Sequence, residues 1–191
     1  MATCNDLIAG LNPDCTSLKK VGGTNKRVWI GKKDNISIST DTAGYINSIA
    51  MSNIGSIPSK LYKFSGKKDK NNAIWPVVAG ENINTFNHTA VLSLYYGNPT
   101  ELLAIENLVN AAELVVFMQM NDDKIIVLGT DVGLVCTAAE GGTGTLLNDS
   151  TAYVVTLSAE NKTIPKYFSV NGTTATIAQN IAYLDTLSSS I

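Results

Sequence analysis

One histidine, His88, serves a chain of 191 residues, and its three cysteines, Cys4, Cys15 and Cys136, show no Cys-x-x-Cys spacing. That scarcity argues against a zinc site, which draws about four such ligands together. The odd thiol count argues against a complete disulfide framework. Charge of one sign is also missing: 14 Lys and Arg stand against 16 Asp and Glu, a net charge of -2. The chain therefore lacks the basic footprint of a protein that reads duplex phosphates. No run of about 18 apolar residues offers a membrane-spanning helix. Asn5, Asp6 and Asp14 fall where a cleaved signal would need a basic start and an apolar middle. The expectation is a soluble chain without a cleaved signal. On that expectation the Asn-x-Ser/Thr matches at Asn35, Asn87, Asn148, Asn161 and Asn171 read as chance products of an Asn-, Ser- and Thr-rich sequence.

Catalytic motifs are as scarce. Gly141, Gly142 and Gly144 in "EGGTGTLL" have no lysine to make a P-loop, and they do not open a helix within an alternating β-α chain. The stretch reads as a flexible connection. No Gly-x-Ser-x-Gly elbow exists, so the single histidine would have to serve every Ser or Cys nucleophile. Asp122 and Asp123 fall in a predicted solvated turn, a poor place to shift a carboxyl pKa. No catalytic, cofactor-binding or metal-binding residue is assigned, and no cofactor is expected.

What is present is strand material. The length suits one domain, with an N-terminal arm over 1–22, a β-rich domain over 23–170 and a C-terminal extension over 171–191. "RVWIG" (27–31), "ISIS" (36–39) and "YINSIAM" (45–51) have the β-branched and aromatic content of strands, and "DTAG" (41–44) is a turn. Residues 60–78 read as a long projecting hairpin or loop with a polar, basic tip, and Pro76 places it at a sheet edge. In "NTFNHTAVLSLYYG" (84–97) the alternation sets Phe86, His88, Ala90, Leu92, Leu94 and Tyr96 on one face, so His88 reads as a packed or edge histidine.

A capped helix follows. Asn98, Pro99 and Glu101 fit the N-cap, first-turn and capping-box positions, and Leu102, Ile105, Val109 and Ala112 recur at helical spacing. "ELVVFMQM" and "KIIVLG" then form a hairpin across Asn121, Asp122 and Asp123. Strands are expected on both sides of the glycine-rich loop, the later one over 152–158, and "TIPKYFSV" (163–170) is extended. Ile177, Ile181 and Leu184 sit three or four apart, as in a short amphipathic helix that must pack on this domain or on a neighbouring chain.

The ordered set of segments resembles the tail tube (major tail) and related structural virion proteins of tailed bacteriophages. The similarity lies in "CNDLIAG" with a following "DC", in "VGGTNKRVWIG", in "KLYKF", and in "TAVLSL" entering the capped helix. It continues through "VLGTDVGL" and "GTGTLLNDSTAYVVTLSAEN" to "YFSV", about residues 4 to 170. The resemblance implies a mainly β fold, a β-sandwich or barrel-like subunit with one flanking α-helix. It implies homo-oligomeric rings, commonly sixfold, that stack into a tube through which genomic DNA passes. Carried onto this chain, 2–22 is an arm reaching a neighbour, 60–78 the projecting hairpin and 98–112 the outer helix.

On that reading the inter-subunit contact candidates are Cys4, Leu7, Leu11 and Cys15 in the arm, and Tyr62, Phe64, Lys67, Lys68, Lys70 and Trp75 in the hairpin. Ile177, Ile181 and Leu184 complete the set. The expected partners are copies of the chain itself and other tail or neck proteins, with no membrane, in a virion assembled in the bacterial cytoplasm. The basic tip departs from the pattern, because sticky positive charge suits a subunit contact better than a lumen through which DNA slides. A neck, ring or tail-completion protein is the alternative. A surface hydrolase or glycan binder is the rival from another class, with Trp29, Trp75, Tyr95 and Tyr96 as its aromatic platform. For Cys4 and Cys15 three readings stay open: two buried thiols, a disulfide formed late, and metal or redox chemistry. Closing their loop would stabilise the arm by about 3 kcal/mol, but disulfides are rare in a reducing cytoplasm.

Overall fold

The computed structural model describes residues 23–53, 59–66, 70–142 and 152–189. Cys4, Leu7, Leu11, Cys15, Lys67 and Lys68 lie outside the described residues. The chain forms β1 (Thr24–Lys32), β2 (Ile36–Thr40), β3 (Ile46–Met51), β4 (Leu61–Ser65), β5 (Asn72–Ile74), β6 (Val77–Val78) and β7 (Thr85–Leu94). Helix α1 (Pro99–Asn110) leads into β8 (Leu114–Met120), β9 (Ile125–Leu128), β10 (Val135–Gly142), β11 (Ala152–Asn161) and β12 (Lys166–Phe168). Helix α2 (Ile177–Thr186) and β13 (Ser188–Ser189) complete it.

The fold is mainly β, in two sheets. The larger has eight strands in the order β13-β4-β1-β8-β9-β12-β3-β2, and the smaller has the order β10-β11-β7-β5, with β6 also paired to β7. Both sheets end in strands with one neighbour, so the barrel-like alternative is corrected: neither closes.

Strands β8 and β9 show why the large sheet is the middle layer. Both are apolar nearly throughout, and strand alternation sends successive side chains to opposite faces. Leu114, Val116, Met118, Ile126 and Leu128 join a core with Leu92 and Leu94 of β7, Val155 and Leu157 of β11, and Ile105 and Leu108 of α1. Val115, Phe117, Ile125 and Val127 face the other way, into a core with Trp29, Phe168 and Leu184 of α2. Fully burying a side chain of this size contributes about 1.5–3 kcal/mol, so each face of β8–β9 carries a substantial share of the stability.

Local signals placed several elements. The Asn98 side chain accepts from Glu101 N at 2.9 Å, while Glu101 Oε2 accepts from Gly97 N at 2.6 Å, one residue before the cap. The β8–β9 turn closes with Met120 N donating to Lys124 O at 2.8 Å, and Asp123 takes the left-handed conformation there at φ 63°. Asp tolerates that region better than most residues. The expected strand over 152–158 forms and continues to Asn161 as β11.

Two expectations are corrected. Residues 60–78 are not a hairpin: β4 pairs with β1 in the large sheet while β5 pairs with β7 in the small one, so the segment crosses between layers. In α1 the buried positions are Ile105 and Leu108, whereas Leu102 is 42 % exposed and Ala112 lies beyond the helix end. The C-terminal helix takes the first of its two open alternatives: Leu184 is fully buried, and Ile177 and Ile181 pack half-buried against the same core, so the helix packs on its own domain. Residues 171–189 belong to the domain's packing.

Candidate assembly surface

The small sheet has two unlike margins. At one, Pro76 separates β5 from β6; its carbonyl accepts from Asn87 N at 2.9 Å, and the N–H it lacks costs nothing on an edge. This margin carries exposed apolar side chains: Ile74 (46 %), Val77 (59 %) and Val78, with Ile83 (60 %) in the connection to β7. Scattered exposed apolar residues are ordinary, but four within ten positions along one edge make a ridge.

At the other margin lies β10, with α1 packed against it. There Pro99, Leu102, Leu103, Val109 and Tyr153 line an open, mainly apolar groove of about 530 Å³, with Glu106 at its side. Leu103 is 54 % exposed. Glu101, Glu106 and the absence of Lys or Arg from α1 make this helix acidic.

The predicted contact residues divide. Tyr62 is exposed on β4, and Lys70 is exposed at the end of the crossing segment. Phe64 and Trp75 are half-buried and pack against the core between the sheets. A smaller hollow of about 270 Å³ lies between β4 and α1, where Lys63, Ser65, Tyr95 and Glu101 are its polar lining. The proposed aromatic platform does not come together: Trp29 is fully buried, Trp75 is half-buried, and Tyr95 and Tyr96 follow the end of β7. The ridge and the groove were missed by sequence reasoning. A run of "AIWPVV" does signal an apolar edge, but its position across the sheet from α1 depends on strand order.

His88 is fully buried, as a packed histidine should be. Its Nε2 lies 2.8 Å from Thr163 O, and its Nδ1 accepts from Gly129 N at 3.2 Å. No group of three or more His, Cys, Asp or Glu side chains capable of holding a metal occurs among the described residues. No helix among them is long and apolar enough to cross a membrane. Cys136 is a free, half-buried thiol whose Sγ donates to Ala138 O at 3.5 Å. Compared with protein-family models, curated proteins and solved structures, the chain matches none.

Proposed function

We propose that this protein is a non-enzymatic structural subunit of a tailed-phage virion that assembles head to tail into closed rings, and that the rings stack as the tail tube. The observation that carries the reading is the placing of an apolar ridge and an apolar groove at opposite margins of one sheet. A patch that complements a different patch on the same molecule makes a heterologous contact, which closes into a ring when the rotation between copies permits. Open strand edges add backbone hydrogen bonding to such a contact. The mainly β architecture, two sheets with helices α1 and α2, is compatible with the mainly β fold that the resemblance to tail proteins implies, with two helices in place of one. Apolar ridge burial gives the contact its affinity, and unlike margins give it direction.

Light scattering and negative-stain microscopy of the concentrated, purified protein test this. Stacked rings or tubes support the tail-tube reading, and single unstacked rings favour a neck, ring or tail-completion protein. A stable monomer that cleaves or binds glycans overturns both.

A further inference from the structure

His88 is the ionisable side chain that the described fold buries completely. Its two ring nitrogens face groups of opposite kind. The Gly129 N–H can only donate, so Nδ1 must hold a lone pair; the Thr163 carbonyl can only accept, so Nε2 must carry the proton. One neutral tautomer satisfies both. The contacts also join separate layers. His88 lies in β7 of the small sheet, while Gly129 follows β9 of the large sheet and Thr163 lies in the connection from β11 of the small sheet to β12 of the large one.

The partners are held in place independently. Gly129 has φ 76°, and a Cβ there would stand 2.6 Å from Leu114 O, so the turn has little room to re-aim its N–H. Asp131 Oδ2 accepts from Thr163 N at 3.1 Å and from Thr163 Oγ1 at 2.9 Å, tying the 129–134 turn to the 162–165 strap. Asn161 Oδ1 accepts from Asp131 N at 3.2 Å and Val132 N at 3.3 Å.

We propose that His88 is a pH-operated latch between the two sheets: neutral, it holds the Gly129 N–H and the Thr163 carbonyl at once, and a proton on Nδ1 sets donor against donor and opens the Gly129 contact, while Nε2–H keeps its bond to Thr163. The charged groups around it are few. Asp131 in the turn favours the imidazolium, Lys162 in the strap is exposed, and Glu160 of β11 is exposed with its carboxylate accepting from Thr85 Oγ1. The facing strand β9 contributes Ile, Val and Leu alone.

Burial lowers the His88 pKa, and the Thr163 hydrogen bond and the Asp131 charge only partly oppose that. A depressed histidine pKa means the unfolded chain binds the proton more readily. The latch's stabilisation is therefore complete above the unfolded value of about 6.5 and is lost as pH falls from there through the folded value.

With a single histidine in the chain, nitrogen-15 NMR of the full-length protein reads the tautomer and titration without ambiguity. The expected result is an Nε2–H tautomer, a midpoint below about 6.5, and a loss of Gly129 amide protection that follows the same titration. An Nδ1–H tautomer, a midpoint at or above that value, or Gly129 protection that is indifferent to His88 charging would overturn the proposal. H88Q supplies a non-titrating acceptor and donor, so its denaturant midpoint should lose the native protein's decline between about pH 7 and about pH 5. An unchanged decline in H88Q would also overturn it. If H88Q does not fold, the measurements on the native protein decide the matter.

Discussion

Trp29 and Asp185 stand 156 residues apart and are joined by one hydrogen bond, indole Nε1–H to carboxylate Oδ1, at 2.9 Å. Lys63, opposite Trp29 across the β1–β4 pairing, donates to the same carboxylate at 2.9 Å and 3.1 Å. Its ammonium also sits 5.8 Å from the indole centroid. The carboxylate thus ties the C-terminal helix to two adjacent strands of the large sheet.

Asp185→Ala strands the N–H of a fully buried tryptophan, and the expected cost is about 1–3 kcal/mol in urea unfolding. Asp185→Asn keeps an acceptor for the indole and should cost less. Partial burial disfavours the ionised carboxylate, but the hydrogen bonds from Lys63 and Trp29, with the charges of Lys63 and Arg27, outweigh it and hold the pKa below the ordinary aspartate value. A depressed folded pKa contributes stability that is present above the unfolded value of about 3.9 and disappears as pH falls through the folded one. Asp185→Asn should accordingly flatten the stability profile in that acid range. A native profile that stayed level there would contradict the assignment.

Leu184 gives a direct measure of where the C-terminal helix packs. It is fully buried in the core that holds Phe117 and Phe168, and Tyr183 beside it stacks on Phe168 with centroids 5.7 Å apart. Leu184→Ala should destabilise the isolated protein by about 2–5 kcal/mol. An unchanged melting temperature combined with lost self-association would instead return this helix to the subunit interface.

How far the sequence exposed this fold depends on the range of the interaction concerned. Asn98, Pro99 and Glu101 announced α1 because a cap is settled within four residues. The β8–β9 hairpin was legible because its turn and its two apolar runs are adjacent in the chain. The segment over 60–78 misled because Leu61 and Ile74 both look like strand residues, and nothing local says that β4 and β5 enter different sheets. Leu108 replaced Leu102 as a core residue because the sheet's position, and not helical periodicity alone, selects the buried face. The assembly ridge and the His88 contacts depend on pairings such as His88 with Gly129, 41 residues apart.

Asp131 offers an independent handle on His88. Its carboxylate opposes the depression of the imidazole pKa, and Asp131→Asn removes that charge while keeping an oxygen for Thr163. The His88 midpoint should move lower still in this variant, measured by the same nitrogen-15 titration. A midpoint that stayed put or rose would exclude Asp131 as the charge that tunes the ring.

Val77 and Leu103 test the direction of assembly. Val77 is 59 % exposed on the ridge and Leu103 is 54 % exposed in the groove, so replacing either by Asp should leave folding within about 0.5 kcal/mol of native. Each substitution should nevertheless block self-association, because it places a carboxylate in an apolar contact. A head-to-tail contact makes a further demand. A Val77→Asp copy keeps its groove and a Leu103→Asp copy keeps its ridge, so the mixture retains one intact pairing. That pairing joins one copy of each and cannot propagate. Light scattering of the mixed variants should show heterodimers and no rings, while each variant alone stays monomeric. Rings from either variant, or a mixture that remains wholly monomeric, would show that the ridge does not enter the groove of the next copy.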